Sequence, residues 1–265
     1  MKARTRMLSA AWIAVALMAA ALVAVLAIRE AAAADAPAKP AAKPEAKADT
    51  EAASGTKWQN LFDGKTLKGW KAPQFGGEGE VAVKDGAIVL GRGESMTGIA
   101  YTGKVPTVDY ELTFEGKRVD GVDFFATTTF PVGKSHCSFV VGGWGGPVVG
   151  LSSVDFYDAS DNETTRIKDF KLNRWYRFRI RVTEQKIECW IDKEKDVDLR
   201  YVHWETEDGK KIKKERKISI RFECDLCRPL GISSWCTTGA VRDIRIRSLT
   251  PDEVKAVAAE AAAEQ

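Results

Sequence analysis

The sequence predicts an all-β sandwich of two antiparallel sheets across residues 58–249. Apolar and polar residues there alternate with a period of two, the pattern of strands buried on one face. No part of that span carries a sustained apolar stripe at the helical period of about 3.6 residues. Tight-turn dipeptides such as Asp85-Gly86 separate the apolar runs. A chain of 265 residues, 45% hydrophobic and 29% charged, is long enough for one core domain of about 200 residues with tails.

The amino terminus reads as an export leader over residues 1–34. Lys2, Arg4 and Arg6 precede an apolar run from Met7 to Ile28, followed by Arg29-Glu30 and the small residues Ala31 to Ala34. Cleavage near Ala34 gives a secreted protein, whereas a run of this length also spans a bilayer, so a membrane tether through residues 7–28 stays open. The expected location is therefore periplasmic, extracellular or membrane-anchored. Residues 35–57 are dominated by Ala, Pro, Lys and Glu, a composition that buries too little to offset its ordering entropy, so a disordered linker is expected.

Within the body, Val81 to Lys84 and Ala87 to Leu90 flank Asp85-Gly86, a two-residue hairpin signal. Tyr110, Leu112 and Phe114 alternate with Glu111, Thr113 and Glu115. Tyr176, Phe178, Ile180 and Val182 alternate with Arg177, Arg179, Arg181 and Thr183, and Ile187, Cys189 and Ile191 form the next strand. Ile218, Ile220 and Phe222 repeat the alternation, and Ile244 with Ile246 closes the domain. Residues 250–265 open with Thr250-Pro251-Asp252-Glu253, a capping box with proline at the first helical position. A short helix is expected there, with little to dock against and so prone to fray.

The formal charge of +3 resides in the leader, where Lys2, Arg4, Arg6 and Arg29 outweigh Glu30. The remainder is near neutral and lacks the sustained basic surface that nucleic acid requires, so no nucleic-acid partner is expected.

One segment is informative about family. Leu61-Phe62-Asp63-Gly64-Lys65-Thr66-Leu67-Lys68-Gly69-Trp70 resembles the opening signature of the 3-keto-disaccharide hydrolase domain family, whose fold is a concanavalin-A-like jelly roll of the lectin and glucanase type. Read physically, it is a clasp: an apolar edge, an Asp-Gly turn, then Leu67 and Trp70 packing back. Gly121-Val122-Asp123-Phe124-Phe125 is similar to the family's central strand, Asn173-Arg174-Trp175-Tyr176 and Trp190-Ile191-Asp192 to a hairpin of many such domains, and Leu230-Gly231-Ile232 with Val241 to Ile246 to the closing strands. The resemblance implies a carbohydrate partner and cleavage of glycosides oxidised at C3. The ketone acidifies the C2 hydrogen, so a base removes it, the glycosidic oxygen leaves by elimination, and water adds later. This chain departs from the family where chemistry is expected. Ala126-Thr127-Thr128-Thr129 stands where typical members continue into arginine, and His136-Cys137-Ser138-Phe139 stands in the strand that usually carries a glutamate and an aspartate. No family catalytic residue transfers, and a non-catalytic carbohydrate-binding or cell-envelope module remains the alternative.

The candidate catalytic groups therefore come from the residues themselves. His136, one of two histidines, follows the central strand; Asp123 lies on it, and Glu223 ends a later strand. Each can serve as a general base, and each fits an ordinary surface role as well. For binding, Trp144 in Gly142-Gly143-Trp144-Gly145-Gly146 offers an indole to a sugar face, with Asp155, Asp158 and Arg221 as polar partners. Trp204 is a weaker aromatic candidate. The turn Asp158 to Glu163 offers hard oxygens to calcium but lacks the spacing of a recognised calcium loop, so no metal site or cofactor is assigned. Arg177, Arg179 and Arg181 share a strand face and fit either an anionic glycan or nearby acids. Cys137, Cys189, Cys224, Cys227 and Cys236 lie in the exported part, where a structural disulfide is expected in preference to zinc or redox use of Cys224 and Cys227. Asn162-Glu163-Thr164 is a glycosylation sequon.

Overall fold

The computed structural model describes residues 56–263, and the expected leader, with all but the end of the expected linker, lies outside them. The strands are β1 (Gln59–Asn60), β2 (Trp70–Lys71), β3 (Val81–Lys84), β4 (Ala87–Leu90), β5 (Met96–Tyr101) and β6 (Tyr110–Asp120). They continue as β7 (Thr127–Val132), β8 (Ser135–Gly143), β9 (Val148–Ser152), β10 (Arg166–Ile167), β11 (Tyr176–Val182) and β12 (Lys186–Ile191). Then come β13 (Glu194–Arg200), β14 (Val202–Glu207), β15 (Lys210–Glu215), β16 (Gly231–Trp235), β17 (Thr238–Ser248) and the helix α1 (Pro251–Ala263). An eight-stranded back sheet runs β13-β12-β11-β6-β17-β4-β3, with β1 beside β17. A seven-stranded front sheet runs β10-β9-β8-β7-β16-β5-β2, and β14-β15 form a separate two-stranded ribbon. All pairings are antiparallel among the named strands, as the sequence predicts.

The period-two pattern fills one core between the sheets. Leu112, Phe114, Phe178, Ile180 and Ile246 of the back sheet meet Phe130, Phe139, Val141, Leu151 and Ile232 of the front sheet. Phe114 stacks on Phe178 with centroids 5.0 Å apart, and Phe125 meets Phe170 edge-on at 5.2 Å. Each such fully buried ring contributes about 2 to 3 kcal/mol of transfer free energy. The Asp85-Gly86 turn has both residues at positive φ, 51° and 76°, the geometry that suits the right-handed twist of its strands. The opening clasp closes as its residues suggest. Asp63 Oδ1 accepts from the amides of Lys65 and Thr66 at 2.8 and 2.7 Å, and Trp70 Nε1 donates to the Leu61 carbonyl at 2.8 Å.

Four expectations need correction. Gly121 to Phe125 is a loop rather than a strand: β6 ends at Asp120, and the Gly121 backbone turns at φ 93° against Thr237. Residues 222–227 form a 3-10 turn, so Glu223 sits on a turn and not at a strand end. All five cysteines are free thiols, four of them buried as small apolar groups within or against the sheets. The C-terminal helix does dock: Val257 and Ala261, one turn apart on one face, are buried. Its dock is the outer face of the back sheet, where Lys186 Nζ lies 3.3 Å from Glu260. The arginine comb belongs to that face. Arg179 and Arg181 both reach Glu111, at 3.2 and 3.4 Å, Arg177 reaches Glu115 at 3.6 Å, and Arg179 stacks on Trp190 at 3.7 Å. These guanidiniums pair with acids of the same face, and Arg177 keeps 57% of its side chain exposed.

Candidate active site

The outer face of the front sheet holds most of the candidate residues. Cys137, Phe139 and Val141 of β8 point into the core, so His136, Ser138 and Val140 point outward by the alternation of a strand. The middle of this face is paved with small groups: Thr129 of β7, Ser138, Gly150 and Ser152 of β9, and Gly231 and Ser233 of β16 are all buried. What buries them is the chain itself. A covering segment, residues 217–230, first pairs with the loop after β9, where Ser153 and Ser219 exchange backbone hydrogen bonds of 2.7 and 3.1 Å. It then lays its 3-10 turn on the sheet. Cys224 meets Ser138 and Thr129, Cys227 meets Ser233, and a Cβ on Gly231 would stand 2.5 Å from the Cys227 carbonyl. Small residues are needed there because two layers of backbone approach so closely.

The polar groups gather at the rim of this cover. Arg221 binds the Glu223 carboxylate through two nitrogens, Nη2 to Oε1 at 2.7 Å and Nε to Oε2 at 3.2 Å, and also pairs with Asp158. The Arg221 bond holds the Glu223 carboxyl below its usual range and pushes the guanidinium up. Asp155 accepts from Arg216 Nη1 and from the Lys217 amide, both at 2.7 Å. Burial raises the Asp155 carboxyl, but the Lys217 amide and Arg216 overcome it, and the net direction is down. The structure thus brings Asp158, Arg221 and Glu223 into one ion-paired group, with Asp155 three residues from Asp158 in the same loop.

His136 lies beside the cover, near both its Ile218 and Arg228 ends. Its neighbour Ser135 donates from Oγ to the Ile218 carbonyl at 2.7 Å, and Arg228, itself paired with Asp225 at 2.6 Å, acts on the imidazole. Burial first, and the Arg228 charge second, lower the His136 pKa, against a smaller opposing pull from Asp225. The ring is consequently neutral at neutral pH and able to accept a proton.

Asp123 instead meets the turn that carries Trp144, at the opposite end of the strands. Asp123 Oδ2 accepts from the Gly145 amide at 2.9 Å and Oδ1 from the Phe124 amide at 2.8 Å. Trp144, at φ 50° in the β8–β9 turn, leaves 46% of its surface exposed. Phe124 and Trp235 stand near one another at the same end, centroids 6.4 Å apart. Asp123 therefore shapes the turn that carries Trp144.

The Asp158 to Glu163 turn satisfies its own oxygens. Asn162 Nδ2 donates to the carbonyls of Leu151, Tyr157 and Asp158 at 2.8, 3.0 and 2.7 Å, and its Oδ1 accepts from Thr164. A second acidic cluster, Glu188, Asp198 and Glu260, is filled in the same sense by Lys186 Nζ, at 3.2 Å from both Glu188 and Asp198.

Sequence reasoning missed Arg228 and the exposed aromatics Phe156, Tyr157 and Phe222, which are 73%, 63% and 83% exposed around the cover. Arg228-Pro229 did signal a break in the strand, since proline disfavours continuation. Nothing in the alternation of Ile218, Ile220 and Phe222 showed that Phe222 faces solvent.

This arrangement can be set beside known proteins. The 3-keto-alpha-glucoside-1,2-lyase-like domain matches residues 57–247, nearly the whole sandwich. The chain belongs to that family. No curated protein matches it in sequence. Among solved structures it is similar to a putative glycosyl hydrolase from Parabacteroides distasonis ATCC 8503, at 13% identity and TM-score 0.43, over 73% of this chain and 94% of that one. It is also similar to the carbohydrate binding module CBM66 from Bacillus subtilis, at 12% identity and TM-score 0.41, over 68% and 96%. The beta-glucanase of Bacillus licheniformis resembles it at 7% identity and TM-score 0.45, over 74% and 99%. In this chain residues 217–230 cover the middle of the front face of the sandwich.

Proposed function

We propose that the domain cleaves glycosides of 3-keto sugars by elimination, with His136 as the base. The observation carrying this reading is the neutral, half-buried imidazole on the outer face of the front sheet, beside the Arg228 guanidinium. An imidazole nitrogen takes the C2 proton, and the electron pair of that C–H bond moves into an enolate at C2 and C3. Arg228 stabilises the developing charge on the C3 oxygen. The enolate collapses, the C1–oxygen bond breaks, and the leaving oxygen departs as an alcohol on taking the proton from the His136 imidazolium, which returns to the neutral base. Water adding across the new C1–C2 double bond completes hydrolysis. Export of the domain is part of this proposal and rests on the apolar run 7–28 behind Lys2, Arg4 and Arg6.

A second reading, a carbohydrate-binding module without turnover, is favoured by one set of contacts. Arg221 neutralises both Asp158 and Glu223, and backbone amides occupy both oxygens of Asp123, so these carboxylates are poor bases as they stand. Incubating the purified protein with a 3-keto-disaccharide separates the two readings. Sugar release that is lost in His136→Gln supports the first; saturable binding with no release at any pH sinks it and supports the second.

A further inference from the structure

The β14–β15 ribbon carries a face that neither the sandwich nor the chemistry at His136 uses. Its register pairs Val202 with Glu215, Trp204 with Lys213 and Thr206 with Lys211, and paired residues of an antiparallel ribbon share a face, so Trp204, Thr206, Lys211 and Lys213 stand together, with the carboxylate of Glu215 next along the strand. All four are exposed. The opposite face is internally paired: Lys214 Nζ lies 2.6 Å from Glu205 and also reaches Glu207, and His203 Nε2 lies 2.8 Å from Glu205. Among the described residues neither Lys211 nor Lys213 has an ion-pair partner. At the base of the ribbon a depression of about 500 Å³ is lined by Trp204, Val202, His203, Arg200, Arg216 and Glu163. The acids on its wall are already compensated, Glu163 by Arg216 at 2.6 Å and Asp198 by Lys195 at 2.8 Å.

We infer that this face binds an anionic polysaccharide, a chain carrying uronate carboxylates or sulfates. Two chemical features select that occupant. The Trp204 indole, 47% exposed, offers the flat apolar surface on which a sugar ring packs. Lys211 and Lys213, two residues apart on the same face, offer ammonium groups about 7 Å apart along the strand to acidic substituents. A phosphate backbone needs a longer basic track than two lysines followed by Glu215, and a membrane surface needs a broader one. The inference shares with the proposed function only the carbohydrate class; it needs no catalysis at His136. It places the polymer beside the sandwich as an anchor, while His136 lies on the front sheet.

Affinity electrophoresis of the full chain through gels containing polygalacturonate, with dextran as the uncharged comparison, tests it. Wild type is expected to be retarded by polygalacturonate and not by dextran. Trp204→Ala and the double variant Lys211→Gln, Lys213→Gln are each expected to weaken binding about tenfold, a loss of the size of one stacking or paired-charge contact. Cleavage of a soluble 3-keto-disaccharide, where present, stays unchanged in both, so failure of the anchor and failure of the enzyme are separately visible. Absence of retardation, retention of full binding by Trp204→Ala, or equal binding of oligodeoxythymidylate or anionic phospholipid vesicles would overturn the inference.

Discussion

The Arg247 guanidinium clasps the Glu253 carboxylate at both oxygens, Nη1 to Oε2 at 2.9 Å and Nη2 to Oε1 at 2.7 Å, and so fastens α1 to the last strand of the back sheet. The same carboxylate accepts from the Thr250 amide at 2.8 Å, while the Thr250 hydroxyl accepts from the Glu253 amide at 3.2 Å, completing the capping box that the sequence announces. Arg247 also reaches the buried Glu111, at 3.1 Å through Nε. The Arg247 bond, offset by partial burial and reinforced by Thr250, lowers the Glu253 pKa to about 2. A depressed carboxylate contributes stability that is complete above its unfolded value, near 4.5, and is lost as pH falls through about 2. Melting temperatures followed from pH 6 to pH 2 are therefore expected to fall more steeply for wild type than for Glu253→Gln. At pH 6 the variant is less stable by about 1 kcal/mol, a figure kept small for a carboxylate in partial contact with solvent. Arg247→Ala costs more, about 3 kcal/mol, because Glu111 stays buried with less compensation.

The lowered pKa of His136 sets a pH dependence for the proposed elimination. Only the neutral imidazole accepts the C2 proton, so kcat/KM is expected to be flat through neutral pH and to decline on an acidic limb with its midpoint below 6.5. Arg228→Gln removes a nearby positive charge that disfavours the imidazolium, so the midpoint moves up. His136→Gln lowers kcat/KM by about 10² to 10⁴-fold, the usual worth of a positioned base. A midpoint that Arg228→Gln leaves in place would assign the acidic limb to another group.

Burial makes the thiols unequal. It pushes Cys137 up to about 12 and Cys189 well above its ordinary value, and it raises Cys224 and Cys227. Cys236 is only partly buried, with its thiol donating to the Glu94 carbonyl at 3.3 Å. Brief treatment of the native protein with a maleimide at pH 7 is expected to label Cys236 and spare the other four. Denaturation without reductant should then expose those four as reactive thiols. Mass spectrometry that finds any pair linked would contradict the free-thiol structure.

The cysteines also show where sequence reading succeeds and stops. Alternation identified β6, β11, β12 and β17 because one face of each is buried in a shared core, and that constraint is written at every second residue. The Asp85-Gly86 hairpin was legible from its dipeptide, and Asp208-Gly209, with φ values of 48° and 74°, carries the same signal for the ribbon. Ile218, Ile220 and Phe222 follow the same alternation without joining a sheet: Ile218 forms an isolated bridge with Val154 in the loop after β9, and Phe222 opens the 3-10 turn with its ring in solvent. That outcome depends on contacts distant in sequence. The pairing of Arg221 with Asp158, and of Asp123 with the Gly145 amide, is equally nonlocal; composition proposed these residues, and only tertiary geometry separates ion-paired carboxylates from the half-buried imidazole of His136.

The Asp123 contact leads to a test of the turn that presents Trp144. Gly142, Trp144, Gly145 and Gly146 all have positive φ, a run that costs conformational freedom and needs external anchors. Asp123 supplies one through the Gly145 amide, and Arg118 supplies another by donating from Nη2 to the Gly146 carbonyl at 3.4 Å. Asp123→Ala is expected to lower stability by about 1 to 2 kcal/mol, since two backbone amides lose a charged acceptor. It should also raise hydrogen exchange in residues 142–147 without affecting the β6 and β11 amides. Because a loosened turn presents the indole less favourably, binding of a neutral glycan that depends on Trp144 weakens in Asp123→Ala about as much as in Trp144→Ala. Asp123→Asn, which keeps an acceptor oxygen for one amide, is expected to fall between wild type and Asp123→Ala. If Asp123→Ala instead abolished turnover of a 3-keto-disaccharide while leaving exchange in the turn unchanged, Asp123 would act on the substrate and not through the backbone of Gly145.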